Sequence, residues 1–199
     1  MLLVSNINDP GVTSWISRDG GKTWGDNVLP GDNSKSDPAC VIGRIGGTDG
    51  RFFINYLQQV LTQGASYKNA LGDPWNPVVV QGPTEEGTDK NHLWIDNSTT
   101  SAFPNRLYCA FSDISQLSHL RLKFSTDNGA SWRGEGGVPG PPIVVDAGLP
   151  AGKDFRGANI QTGPAPAGNV YATWTIRTVP GYSIPLPVGG LSHFPASGS

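Results

Sequence analysis

Cysteine, charge and helical periodicity are all scarce in this chain of 199 residues. Its two cysteines, Cys40 and Cys109, are too few for a disulfide-built scaffold. Each alternates with apolar neighbours and reads as a reduced core residue, with a bridge between them as the lesser alternative. Charged residues make up 15% of the chain and the formal net charge is −2, which excludes the basic footprint of a nucleic-acid binder. No apolar run approaches the ~20 residues of a membrane-spanning helix. Met1 is followed by no basic segment, and Asp9-Pro10 interrupts the first apolar stretch, so no secretory signal is legible. His92, His119 and His193 are far apart and show no metal-ligand spacing, so neither a metal nor a cofactor is expected. No segment holds a helical period over three turns.

What the chain has in quantity is turn-forming residues. It contains 27 glycines and 17 prolines, and its short apolar runs are bounded by them. This is the composition of an all-β chain of short strands. Two stretches share one pattern: Ser17-Arg18-Asp19-Gly20-Gly21-Lys22-Thr23-Trp24 and Ser125-Thr126-Asp127-Asn128-Gly129-Ala130-Ser131-Trp132 both read Ser-x-Asp-x-Gly-x-(Thr/Ser)-Trp. In such a turn the Asp carboxylate accepts bonds from backbone N–H groups beyond it, Gly takes a positive φ, and the indole pins the turn to the sheet.

The pattern resembles the Asp box, or BNR repeat, of sialidases and related β-propellers, including sortilin-type receptors and some endoglucanases. Trp24 and Trp132 lie 108 residues apart, about two blades of roughly 50 residues each. A middle box is therefore due between them. Lys68-Asn69-Ala70-Leu71-Gly72-Asp73-Pro74-Trp75 keeps Gly72 and Trp75 in register but has Ala70 and Lys68 where Asp and Ser belong. It reads as an eroded box, against the plainer reading of a Gly-Asp-Pro turn followed by an unrelated Trp.

Alternation supplies the strands. The clearest unit runs His92 to Asn97, Arg106 to Asp113, His119 to Thr126 and a fourth stretch after Trp132; Leu107, Cys109 and Phe111 oppose Tyr108, Ala110 and Ser112. The preceding unit runs Asp37 to Gly43, Arg51 to Gln59, Thr62 to Asn69 and Trp75 to Gln81. Ahead of the first box there is room for only Leu2 to Asn6 and Gly11 to Ser17, so the first unit starts without an inner strand. Gly157 to Gln161 and Asn169 to Arg177 form a last inner pair, with a third strand beginning near Tyr182. The fold expected is a β-propeller of four-stranded antiparallel blades, incomplete, with two full and two partial blades. The units are 1–36, 37–87, 88–150 and 151–184, followed by a Pro/Gly/Ser-rich tail at 185–199. Such an arc exposes strand edges, which implies self-association or marginal stability as a monomer.

The resemblance places the boxes at the rim of one face and the substrate at the other. That implies a structural role for the box residues, Asp19 and Asp127 included. Loops on the opposite face supply Asp37, Glu85, Glu86, Asp89, Lys90, His92, Asp154 and Arg156 ahead of the inner strands, and Asp113, Ser115, Gln116 and Arg177 after the second strands. Ser36-Asp37-Pro38, Thr88-Asp89-Lys90 and Lys153-Asp154-Phe155 echo one another, so Asp37, Asp89 and Asp154 are the candidate catalytic carboxylates and Arg156, Arg177 and Asp113 the candidate substrate ligands. The bland alternative is that each Asp caps a turn.

A sialidase site requires more than this. The family uses three arginines on the substrate carboxylate, a Tyr nucleophile activated by a Glu, an Asp acid/base and an Arg-Ile-Pro motif. Here Arg44-Ile45-Gly46 is the nearest to that motif, and of eight arginines only Arg156 and Arg177 fall on the expected face. A two-carboxylate hydrolase drawn from Asp37, Asp89, Asp113 and Asp154 stays open. Trp94, Phe155 or Tyr182 are possible sugar platforms, although Trp94 reads first as core. Asn97-Ser98-Thr99 fits a glycosylation sequon, and Thr48-Asp49-Gly50 fits a hairpin turn.

Three classes of function follow: a glycan-directed module that binds or cleaves carbohydrate, a non-enzymatic propeller that binds protein or peptide, or a structural remnant of a larger domain. The resemblance also implies an extracellular or periplasmic location.

Overall fold

The computed structural model describes residues 1–7, 11–28, 30, 34–44, 50–58, 62–82, 87–113, 119–145, 153–164, 166–178 and 190–194. These residues form strands in four antiparallel sheets that follow one another along the chain. The first holds β1 (Leu2–Ile7), β2 (Gly11–Ile16) and β3 (Gly25–Val28), in that order. The second holds β4 (Ser34–Gly43), β5 (Arg51–Gln58), β6 (Gln63–Lys68) and β7 (Asn76–Gln81). The third holds β8 (Thr88–Ile95), β9 (Leu107–Asp113), β10 (His119–Ser125) and the two-residue β11 (Ile143–Val144). The fourth holds β12 (Lys153–Thr162), β13 (Val170–Thr178) and β14 (Gly190–Phe194). This all-β arrangement of three- and four-stranded meanders is consistent with a propeller-like fold.

The sheets stack as layers, so a middle sheet must be apolar on both faces. Leu107, Cys109 and Phe111 of β9 join Phe53, Ala65 and Val80 in a core between the second and third sheets. Tyr108 and Ala110, pointing the other way, join Leu120, Ile160 and Val170 between the third and fourth. Val12, Ile54 and Tyr56 close the junction of the first and second. The alternation read from the sequence is thus a division of side chains between two neighbouring cores.

Both cysteines are free thiols, and burial pushes each thiol above its ordinary pKa. Gly11 marks a close approach between the first two sheets: with φ of 122°, any Cβ there would fall 1.7 Å from the Ser34 carbonyl oxygen. Asn97, the sequon asparagine, clasps the end of β4; its Nδ2 donates to Ile42 O at 2.9 Å and its Oδ1 accepts the Arg44 N–H at 2.8 Å.

Pairing sets the position of β1. Leu2 to Ile7 pair with β2 as β5 pairs with β6 and β9 with β10, and the first box follows β2 as the last follows β10. β1 therefore occupies a second-strand position, and among the described residues no inner strand covers its other edge. The inner strands start earlier than alternation suggested, at Ser34, Thr88 and Lys153, because each carries pairing across a bulge. The third strand of the last sheet is Gly190–Phe194, inside the stretch read as a tail; Tyr182 lies outside the described residues.

Candidate functional site

The two boxes fold as one turn. In the first, Gly21 N–H donates to Ser17 Oγ at 2.7 Å, and Asp19 Oδ1 accepts the N–H groups of Lys22 and Thr23 at 3.0 and 2.9 Å. Thr23 Oγ1 donates to Asp19 Oδ2 at 2.6 Å. In the second, Gly129 N–H donates to Ser125 Oγ at 2.9 Å, Asp127 Oδ1 accepts the Ser131 N–H at 2.9 Å, and Ser131 Oγ donates to Asp127 Oδ2. Gly21 and Gly129 take φ of 93° and 85°, conformations other residues reach only with strain. Trp132 is buried between the second and third sheets, whereas Trp24 is exposed.

These carboxylates serve the turn. Hydrogen bonds from Thr23 and Ser17 hold Asp19 far below the usual carboxylate range. At Asp127 burial acts upward, and the combined bonds from Ser131 and Ser125 outweigh it, so the pKa is lowered. The middle turn is built with the opposite polarity. Lys68, where Ser belongs, donates from Nζ to Leu71 O at 3.0 Å and stands 5.1 Å from the Trp75 ring centroid. Asp73 Oδ2 accepts the Ala70 N–H at 3.1 Å, and Gly72 is not among the positive-φ residues.

At the other end of the sheets the inner strands share a device that alternation alone did not show. Pairing breaks between Ser36 and Ala39, between Asp89 and His92, and between Arg156 and Asn159. Each break holds one residue of positive φ: Asp37 at 53°, Lys90 at 48° and Gly157 at 65°. The structural counterparts of Asp37 are therefore Lys90 and Gly157, and Asp89 corresponds to Ser36 and Arg156. The three carboxylates thus sit inside paired strands at non-equivalent positions, because the bulge, rather than the Asp, is what repeats.

The bulges bring Asp37, Asp89 and Lys90 together. Lys90 Nζ lies 2.9 Å from Asp37 Oδ2 and 3.4 Å from Asp89 Oδ1. The hydrogen bond to Asp37 raises the Lys90 pKa, against the opposing effect of burial and with help from Asp89. Asn6 of β1 accepts the Asp37 N–H at 2.9 Å, so three successive sheets contribute to one polar cluster. Beneath it, Asn91 Nδ2 donates to Asn55 Oδ1, Asn55 Nδ2 to Gly64 O at 2.9 Å, and Gln63 Nε2 to Thr88 Oγ1 at 2.9 Å. Asn55, Gln63 and Thr88 are buried, so this network fixes the second sheet against the third. Asn6, Asn55, Gln63 and Asn91 were not legible as site residues; Asn6 and Asn55 show only as amide side chains in largely apolar strands, and Gln63 and Asn91 carry no signal of their own.

The remaining candidates divide. Asp113 is held by Arg121, whose Nε and Nη2 each lie 3.1 Å from Asp113 Oδ2. The backbone of β12 pairs Asp154 with Arg177 and Arg156 with Thr175; the side chains of Asp154, Arg156 and Arg177 are outside those described. Glu85, Glu86, Ser115 and Gln116 also lie outside the described residues. His92 accepts the Ile160 N–H on Nδ1 at 3.2 Å, tying β8 to β12, and burial lowers its pKa. Trp94 packs on the core between the third and fourth sheets and donates to Thr162 Oγ1 at 3.1 Å, beside a cavity of about 380 Å³ at the far ends of the inner strands. Burial, outweighing the nearby Arg106, pushes Tyr108 up to about 12, the reverse of an activated nucleophile. Among the described residues no group of three or more His, Cys, Asp or Glu could hold a metal ion, and no helix is long and apolar enough to cross a membrane.

No family model matches the chain, and no curated protein matches it. Among solved structures, a protein of unknown function from Dyadobacter fermentans DSM 18053 is similar over 86% of this chain and 53% of its own, at 15% identity and a TM-score of 0.55. The intramolecular trans-sialidase from Ruminococcus gnavus, solved with oseltamivir carboxylate, is similar over 94% of this chain and 41% of its own, at 13% identity and a TM-score of 0.46. The chain therefore spans about half the length of the first of these structures and less of the second. The first likeness is one of fold.

Proposed function

We propose that this chain is an arc of a sialidase-like, Asp-box propeller directed at glycans, which it binds through the face opposite its boxes. The observation that supports this is the joint polar cluster of Asp37, Asp89 and Lys90, built by consecutive sheets at the ends remote from both box turns. Half of the Lys90 side chain, 49%, stays exposed, so the pair contributes little to stability and remains free to exchange partners with a ligand. An ammonium between two carboxylates offers donors and acceptors at the spacing of vicinal sugar hydroxyls.

Binding is the better-supported half of this reading. Hydrolysis by two carboxylates needs a pair that faces the scissile bond, whereas Lys90 lies against both Asp37 and Asp89, and Arg121 engages Asp113. Asp154, Arg156 and Arg177 belong to the same end of the fourth sheet and extend the proposed surface.

A glycan array followed by titration calorimetry tests the reading. The expected result is a saturable hit whose affinity falls about tenfold or more in Asp37→Asn and Lys90→Ala, the loss of one or two charge-assisted hydrogen bonds. A parallel assay with fluorogenic glycosides should show no turnover. Turnover abolished by Asp37→Asn or Asp89→Asn would replace binding with catalysis. Small, diffuse effects over many substitutions would instead indicate a protein or peptide partner.

A further inference from the structure

The face that carries the boxes holds a second polar feature, independent of the cluster just described. Arg106, ahead of β9, and Arg133, directly after the Trp132 of the second box, line a common cavity of about 210 Å³ with Phe124, Thr126, Gly136 and Ile143. No residue lining it is acidic. Among the described residues no carboxylate pairs with either guanidinium.

Each arginine is held in place by neutral groups, and the Tyr108 hydroxyl also lies beside Arg106. The guanidinium carbon of Arg106 lies 4.0 Å from the Phe103 ring centroid and 5.0 Å from that of Phe124, so two rings hold the cation in place. Contacts to rings restrain a guanidinium without neutralising it or using up its five N–H donors. Arg133 donates from Nη1 to Gly137 O at 3.0 Å, yet its Nε is buried without a hydrogen-bond partner. A buried charged donor without an acceptor is costly, and in a native protein it commonly marks the place of an ion or water.

The corresponding arginine of the second sheet shows the contrast. Arg51, equivalent to Arg106 by strand pairing, reaches the Asn128 carbonyl oxygen at 3.5 Å. No arginine follows the other two turns, where Asn76 and Gly25 stand after Trp75 and Trp24. The paired arrangement belongs to the third sheet alone among the three turns.

We infer that Arg106 and Arg133 form a binding site for a compact oxyanion, a sulfate, phosphate or sugar carboxylate, on the box face of the third sheet. Arg106 presents its fork to the anion, and the Arg133 guanidinium supplies a second positive charge in the wall of the same cavity. The site does not depend on the glycan reading of the opposite face.

The test is nuclear magnetic resonance on the whole chain, following the arginine Nε–Hε signals during separate titrations with sodium sulfate, sodium phosphate and sodium glucuronate, each against sodium chloride at matched ionic strength. The expected result is a saturable shift of the Arg133 Nε–Hε signal with at least one oxyanion and none with chloride. The anion that saturates first identifies the source. In Arg106→Gln the apparent affinity should fall about tenfold, and Arg106→Lys, which keeps the charge without the fork, should fall between. Shifts that follow ionic strength alone, or no saturable shift in any titration, would overturn the inference. If Arg106→Gln fails to fold, the wild-type titrations and Arg106→Lys still decide it.

Discussion

A single carboxylate does most of the work in each box, and its worth depends on where the turn sits. Asp127 is partly buried and accepts from Ser131 twice and Ser125 once, beneath a Trp132 that belongs to an inter-sheet core. Asp19 makes the same bonds in solvent. Asp127→Asn keeps the size but turns an acceptor into a donor facing the Ser131 hydroxyl. The expected cost is about 1–2 kcal/mol in denaturant unfolding, discounted for partial exposure, with a smaller effect for Asp19→Asn. Equal stability of Asp127→Asn and wild type would mean that the indole alone secures the turn. These two turns were legible from sequence because a box is local: Ser, Asp, Gly and Thr or Ser bond within eight residues. The middle turn was legible as an eroded box through Gly72 and Trp75, but its substitute, an ammonium on a carbonyl and an indole, was not, since it obeys no box spacing.

Among the elements, the inner strands carry what sequence reading missed. Alternation located β9 and β10 well, because the two strands pair without a register shift and the phase is kept from end to end. It lost the starts of β4, β8 and β12, where a bulge adds one residue and inverts the phase. The polar cluster depends on those bulges, so Asp37, Asp89 and Lys90 could be listed from sequence, but neither their geometry nor the part played by Asn6 could.

His92 sits just after the second bulge and gives a pH test of the junction it bridges. Burial lowers its folded pKa below the ordinary 6.5. The unfolded chain therefore takes up this proton more readily than the folded one, so stability is complete above 6.5 and falls as pH drops towards the folded pKa. Protonation also places a hydrogen on Nδ1, which can then no longer accept the Ile160 N–H. Urea midpoints at about pH 8 and about pH 5 should differ more for wild type than for His92→Gln, whose amide oxygen can accept at either pH. An unchanged difference in the variant would assign the pH response to other groups.

At the scale of the whole molecule, each internal junction is closed by apolar side chains from two sheets, and the outermost sheets are the exception. β1 stands where the other sheets have a second strand, with no inner strand beside it among the described residues. Met1 and Leu3 are exposed there at 59% and 48%. An uncovered edge of this kind is a template for another strand, since among the described residues no strand pairs with it and the Leu2 and Asn6 carbonyls take only the Cys40 thiol and the Ser5 hydroxyl. The 199-residue chain is therefore expected to self-associate, with a light-scattering mass above the 21.0 kDa monomer that rises with concentration. Replacing Leu3 by Lys places a charge on that edge and should return the mass towards the monomer without loss of folded signal. A monodisperse monomer that unfolds cooperatively at micromolar concentration would show that the edge is protected by segments outside the described residues. A Leu3→Lys chain that still associates would move the contact to another edge, with β14 the next to test.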